Sequence, residues 1–318
     1  MAGIVCWTVG FLTMTVAVLV TGAFGFLGRH VARTCALAGH TVRGIGHGSW
    51  TRAEWREWGI SEWHTTDVTR ESIVSFGGDP DLIIHCAGSG SVGFSMTHPS
   101  QDFDRSVLTT RDVLEYVRLH RPSARIVLPS SASIYGNATQ MPIPVAAQLR
   151  PVSPYGMHKL MAEELCLSYA QHFGISVAIV RLFSVYGIGL RKQLLWDACT
   201  KLSRGPSIFG GTGDETRDWL HVEDASQLLL SAGLAHNLSP FIINGATGVG
   251  VSTQRILGTI SQAFGGEESA QFSGVCRPGD PLHLVADMAG AEALSWQPSR
   301  ILQLELSHYL EWFKAGAP

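Results

Sequence analysis

Residues 15–30 read TVAVLVTGAFGFLGRH. The first six, Thr15–Val20, form an apolar run rich in β-branched side chains, the pattern of a strand buried on both faces. The chain then enters a glycine turn, with Gly22, Gly25 and Gly28 spaced G-x-x-G-x-x-G, and passes into helical apolar spacing. Each glycine has a task in that geometry. Gly22 permits a sharp turn, Gly25 lets the backbone approach a pyrophosphate, and Gly28 lets the helix pack close to the sheet. The helix start offers N–H groups to the anion. Phe24, Phe26 and Leu27 complete the loop and join the candidate cofactor-binding set.

Outward from this stretch, strand-like runs alternate with helix-like ones. Val16–Val20, His40–Ile45, Leu82–His85, Ala124–Leu128 and Val177–Leu182 read as strands, and Gly25–Ala38, Phe103–His120 and Tyr155–Phe173 as helices. That alternation predicts an α/β doubly wound parallel sheet, a Rossmann fold. After about residue 183 turn signals multiply, so a smaller α/β substrate-binding lobe is expected. The predicted division is 14–182 for the dinucleotide-binding domain and 183–318 for the lobe, with about 218–246 returning to the first domain.

Composition narrows the function. Among 318 residues, 23 are basic and 26 acidic, net charge −3, which leaves no excess of positive charge for a nucleic-acid backbone. The six cysteines form no C-x-x-C pair, and the thirteen histidines show no metal-ligand spacing, so reduced thiols, a cytoplasmic setting and no metal site are expected. No charged side chain occurs between Met1 and Gly28. Residues 1–13 read as an apolar extension before a natural start at Met14 rather than a membrane anchor, and a membrane partner is not expected.

The end of the second strand bears on the cofactor. An NAD site usually places a carboxylate there for the ribose 2′-hydroxyl. Near Gly46 and His47 the sequence has none. Arg43, His47 and Arg52 are the nearby groups that would meet a 2′-phosphate, so the choice between NAD and NADP stays open, with a physical lean to NADP. Asp67 and Val68, just after the third strand, are candidates for the adenine.

Tyr155 and Lys159 form a Y-x-x-x-K pair at a helix start, one turn apart on the same face. The lysine charge is expected to lower the tyrosine pKa and favour the phenolate. Upstream, Pro129–Gly136 (PSSASIYG) follows a strand and offers a hydroxyl to the same substrate oxygen.

With these segments in place, the sequence resembles the extended short-chain dehydrogenase/reductases that act on nucleotide-diphosphate sugars, most closely the UDP-hexose 4-epimerases. The resemblance spans about Thr15 to Phe313, through TGAFGFLG, HCAGSGSVGFS, PSSASIYG, PYGMHK, RLFSVYG, RDWLHVEDA and RPGD. It implies that Tyr155 is the acid/base, with Lys159 in support and Ser131 sharing the hydrogen bond. It places Gly22, Gly25 and Gly28 on the pyrophosphate, Asp67 on the adenine, and His85, Ala87 and Gly88 along the cofactor. Ser133 and Ser184 would face the sugar, and Arg217 and Arg277 would grip the substrate phosphates, a task suited to a planar guanidinium. It also implies a homodimer packed through Phe103–His120 and Tyr155–Phe173, with Leu160, Leu165 and Leu167 on the second helix.

Family dehydratases resemble one another in carrying a glutamate just after the catalytic Ser or Thr. Ala132 and Ser133 stand there, so an NAD(P)-dependent 4-epimerase working through a transient 4-keto sugar is the expected function. A 4-ketosugar reductase using the same residues is the alternative, with a non-catalytic dinucleotide sensor behind it. Two departures touch sugar discrimination: Ser184 in RLFS and Asp104-Arg-Ser106 stand where the family commonly has Asn. Trp50, Trp55, Trp58 and Trp63 are expected to pack over the sheet edge near the adenine pocket.

Overall fold

A computed structural model describes residues 15–235, 240–264, 266, 270–275, 279 and 281–316. The apolar extension 1–13 and Arg277 lie outside the described residues.

Seven parallel strands form the central sheet. In chain order they are β1 (Ala17–Thr21), β2 (Thr41–Gly46), β3 (Glu62–Thr65), β4 (Leu82–His85), β5 (Arg125–Ser131), β6 (Val177–Leu182) and, after three strands of the small lobe, β10 (Phe241–Gly245). Their spatial order is β10-β6-β5-β4-β1-β2-β3. The runs LIIH and VAIVRL are buried at every residue because helices cover both faces. On one face, α1 (Phe26–Leu37) packs against α9 (Val222–Leu234); on the other, α6 (Thr109–His120) packs against α3 (Arg70–Phe76) and α7 (Pro154–Phe173). The strand order reverses between β1 and β4. A crevice opens there beyond the carboxyl ends of the strands, where open α/β sheets bind ligands.

The expected helix Phe103–His120 is divided. A short helix α5 (Pro99–Phe103) runs through a π-helical turn, Asp104–Leu108, into α6. Such turns widen a helix locally and recur at functional sites. This one brings Ser106 beside Gly88, where the serine Oγ accepts from Ser89 N at 3.4 Å. Two further elements, α2 (Arg52–Glu57) and α4 (Val92–Thr97), flank the sheet edge and the crevice.

The small lobe holds β7 (Ser184–Tyr186), α8 (Gln193–Leu202), β8 (Ser207–Phe209), β9 (Thr216–His221), β11 (Gly250–Ser252), α10 (Thr253–Phe264), β12 (Ala270–Phe272) and β13 (His283–Leu284). Strand β9 is central, pairing with β7, β11 and β13. Asp218 on β9 is fully buried and accepts from Thr247 N, Thr247 Oγ1, Gly248 N and Ala286 N at 2.6–3.2 Å. It ties two loops, one at Thr247 and Gly248 and one at Ala286, to the central strand of the lobe.

A buried polar chain joins lobe and sheet. The Arg181 guanidinium on β6 pairs with Glu163 on α7 at 2.8 Å and donates to Tyr135 Oη and the Val145 carbonyl. Tyr135 Oη donates to Asn244 Oδ1 on β10, whose amide reaches Ile143 O and Asp287 O. The two charges of this network, Arg181 and Glu163, pair with each other, as burial requires.

Cys35, Cys166 and Cys199 are buried free thiols. Leu165 and Leu167 pack against this chain's own core beneath α7, and Leu160 against the cluster around Tyr135 and Ile143. All three leucines are partly buried, and the most exposed large apolar side chains of α7 are Met157, Met161 and Phe173. Among the described residues, no helix is long and apolar enough to cross a membrane.

Candidate active site

One cleft of about 660 Å³ opens over the carboxyl ends of β1, β4, β5 and β6 and is closed on its far side by the small lobe. Its floor is the glycine loop. Gly22 has φ +67°, and a Cβ there would lie 2.6 Å from the Ala87 nitrogen. A Cβ on Gly28 would lie 2.3 Å from the Gly22 carbonyl oxygen. Any larger residue at either position pushes the turn apart. The N-cap of α1, Gly25, supplies no side chain to the first turn, so its N–H groups face the cleft as an anion cradle. The loop thus fits a pyrophosphate.

The structure gathers most of the expected residues here. Gly25, Phe26, Leu27, Gly28, His85 and Gly88 line one side of the cleft. Ser131, Ser133, Tyr155, Lys159, Ser184 and Arg217 line the other. Gly22 and Ala87 lie directly beneath, pressed against each other, and Ala87 N donates to Thr21 Oγ1.

The tyrosine and lysine are set by a well-capped helix. Ser153 Oγ accepts from Gly156 N at 3.2 Å, and Pro154 occupies the first turn, so α7 starts at this point. Tyr155 N is also anchored, donating to the buried Ser95 Oγ at 3.0 Å. Lys159 is buried, with Nζ donating to the Pro129 carbonyl at 3.1 Å. The Ser131 hydroxyl lies near enough to the Tyr155 phenol to favour its ionisation, and Ser131 Oγ accepts from Ser133 N at 3.2 Å. The hydroxyls of Ser130 and Ser133 are buried without a partner among the described residues.

The direction of the Tyr155 pKa corrects the sequence reading. Burial pushes the phenol above its ordinary value, the Ser131 hydrogen bond pulls it down, and the Asp102 charge pushes it up. Lys159 has its own pKa lowered, chiefly by burial. The protein by itself therefore holds Tyr155 as a protonated donor. His85 is neutral: burial and the Lys159 charge push its pKa down to about 3, and Thr21 Oγ1 holds Nδ1 at 2.7 Å.

The adenosine end is arranged differently from expectation. His47 and Asp67, both exposed, are hydrogen-bonded to each other just beyond β2 and β3. The carboxylate missing from β2 is thus supplied next to that position by the neighbouring loop. The Val68 side chain belongs to the core beside Ile45 and Ile73, leaving only its backbone to a ligand. Arg43 points to the opposite end of the sheet, pairing with Glu62 at 2.9 Å among Ala17, Thr41 and Asp79, and is removed from the 2′ site. Trp50, Trp55 and Trp63 pack against the core, and Trp50 meets Phe24 edge to face at 5.0 Å.

In the small lobe, the Arg217 guanidinium lines the cleft and is steadied by the carbonyls of Pro281 and Leu282 at 2.8–2.9 Å. Two features went unseen in the sequence. Lys192 and Gln193 also line the cleft. Asp102, fully buried on α5, meets His158 on α7 at 2.6 Å. The signal for the second was a histidine inside Y-x-x-x-K, but its partner 56 positions away has no motif to mark it.

Comparison with known proteins agrees with this geometry. Residues 18–243 match the model of the NAD dependent epimerase/dehydratase family. A putative UDP-glucose 4-epimerase of Methanocaldococcus jannaschii is 27% identical, over 93% of this chain and 98% of the relative. The UDP-glucose 4-epimerase of Streptomyces lividans is 28% identical, over 92% and 95%. Among solved structures, MoeE5 in complex with UDP-glucose and NAD superposes with a TM-score of 0.83 at 26% identity, covering 95% of this chain and all of that one. The chain is an enzyme of the NAD dependent epimerase/dehydratase family.

Proposed function

We propose that this enzyme is a nucleotide-sugar 4-epimerase that binds NAD and acts through a transient 4-keto sugar. The observation that carries the reading is the Tyr155–Ser131 hydroxyl pair beside Lys159, set between the glycine cradle and a lobe presenting Arg217. Ala132 and Ser133 follow Ser131, so no carboxylate adjoins it to remove a C5 proton, which disfavours dehydration.

Gly22, Gly25 and Gly28 would hold the pyrophosphate, Lys159 the nicotinamide ribose, and Asp67 the adenine, with Phe24, Phe26, Leu27, His47, Val68, His85, Ala87 and Gly88 along the dinucleotide. When bound, NAD would supply a hydride acceptor that returns the hydride, and its positive ring would favour the Tyr155 phenolate. Tyr155, hydrogen-bonded to Ser131, takes the proton of the C4 hydroxyl as the sugar is oxidised. The keto sugar turns within the cleft while Arg217 holds its phosphates. Tyr155 then returns the proton to the oxygen on the opposite face. Ser133 and Ser184 would contact sugar hydroxyls, and Arg277 is proposed as a second phosphate ligand.

Asp67 beside His47 supports NAD over NADP, because a 2′-phosphate there meets a carboxylate. The reductase alternative uses the same residues with consumed NADPH. Cofactor released on denaturation separates the two: stoichiometric oxidised NAD fits the epimerase, and a protein that purifies empty and binds NADPH fits the reductase. A homodimer is part of the proposal, supported by Met157, Met161 and Phe173 on the surface of α7. Light scattering at micromolar concentration tests it, and a monomer contradicts it.

A further inference from the structure

Lys192 caps the start of α8, outside every segment that the sequence singled out. Its side chain enters the cleft beside Gly90, with Nζ 3.0 Å from where a Cβ on that glycine would sit. Lys159 Nζ lies 3.8 Å from the corresponding point on Gly88. The two ammonium groups therefore flank one short segment, Gly88–Gly90, and the Lys192 charge lowers the proton affinity of Lys159. Solvent reaches Lys192 from the cleft, yet the surrounding walls desolvate it enough to lower its own pKa. Among the described residues it has neither an acidic nor a hydrogen-bonding partner.

The backbone keeps the lysine in place. Gln193, the next residue, has φ +65°, a conformation that side chains disfavour and that clusters at ligand sites. Its Nε2 donates to the Gly90 carbonyl at 3.3 Å, tying the start of α8 to the loop after β4. Two cations brought to the same loop repel each other, and among the described residues no carboxylate pairs with the second.

A cation held this way in the cleft that also holds Tyr155 and Ser131 fits an anionic group on the ligand. Arg217 already offers the small lobe's guanidinium to the diphosphate. We propose that Lys192 receives a carboxylate carried by the sugar itself, so that the substrate is a nucleotide-diphosphate hexuronic acid rather than a neutral hexose. The proposal rests on the epimerase reading. With the C4 hydroxyl at Tyr155 and Ser131, the C5 substituent is the next group on the ring. A carboxylate there meets the ammonium with an opposite full charge, whereas a hydroxymethyl offers it only a neutral oxygen.

The test is titration calorimetry of the NAD-loaded protein with UDP-glucuronate, UDP-glucose and UDP. It uses the wild type, Lys192→Met and the charge-keeping Lys192→Arg, with C4 inversion followed by NMR on both sugars. The wild type is expected to prefer UDP-glucuronate. Lys192→Met should cut that preference by roughly 10- to 100-fold, and Lys192→Arg should keep most of it. An unchanged preference in Lys192→Met overturns the proposal. So does an equal loss for all three ligands, which would assign Lys192 to the diphosphate. A wild type that inverts UDP-glucose but rejects UDP-glucuronate ends this proposal and leaves the epimerase reading standing. Tight UDP-glucuronate binding with no C4 inversion of either sugar overturns the epimerase reading, and this proposal with it.

Discussion

Asp102 Oδ2 lies 2.6 Å from His158 Nδ1 in the interior between α5 and α7, one residue before Lys159. The Asp102 charge raises the pKa of both Tyr155 and Lys159, although neither touches it through a hydrogen bond. Its other oxygen has no partner among the described residues.

Asp102→Asn is therefore expected to shift the pH–rate profile. Removing a negative charge lowers the pKa of Tyr155, so the phenolate forms at lower pH. The rise of kcat/KM that depends on this phenolate should move toward acid. A profile that stays in place would show that Asp102 only packs α5 against α7.

Tyr155→Phe removes the hydroxyl while keeping the ring and the Ser95-anchored backbone. Turnover is expected to fall by at least about a thousandfold, with dinucleotide binding retained. Ser131→Ala should cost roughly 10- to 100-fold, mostly in kcat. Quenching of tryptophan fluorescence by NAD separates binding from chemistry in both variants.

Glu163→Ala leaves Arg181 buried without its carboxylate, next to Tyr135 and the Val145 carbonyl. The expected loss is about 3–5 kcal/mol in urea unfolding. Glu163→Leu combined with Arg181→Met should recover much of it, since the charge and its counter-charge leave together. A double variant no better than the single would mean that Arg181's bonds to Tyr135 and Val145 dominate.

His30 sits between Phe26 and Trp58, and burial with nearby positive charge pushes its pKa down to about 4. The unfolded chain protonates near pH 6.5, so it binds more protons than the fold between those values. Stability is then fully present above about pH 6.5 and is lost as the pH falls toward 4. Between pH 7.5 and 5, His30 should account for about 1–2 kcal/mol of that loss. His30→Phe, which keeps a ring for the edge-to-face contacts with Phe26 and Trp58, is expected to flatten the dependence by this amount in urea midpoints.

Much of the fold was legible because a doubly wound sheet writes itself in short apolar runs separated by helical spacing. Leu82–His85 and Val177–Leu182 coincide with strands β4 and β6. Strand β3, Glu-Trp-His-Thr, has no such run, since it lies at the sheet edge with one side toward solvent. The residues gathered in the cleft were legible for the same reason: glycine spacing and Y-x-x-x-K are local. Tertiary pairings were not. The direction of the Tyr155 pKa turns on burial and on Asp102, 53 positions earlier in sequence. His47 joins Asp67, and Arg43 leaves the adenosine end, because of strand register and side-chain direction that spacing alone cannot fix.

The most direct test of the central claim is proton NMR of the purified protein incubated with a UDP-sugar, read at the anomeric and C4 protons. UDP-glucose and UDP-glucuronate are each supplied without added cofactor. The expected result is approach to a mixture of C4 epimers, with no net NADH and with loss of conversion in Tyr155→Phe. An unchanged C4 centre in both sugars, with NADPH-dependent consumption of a 4-keto sugar instead, would contradict it.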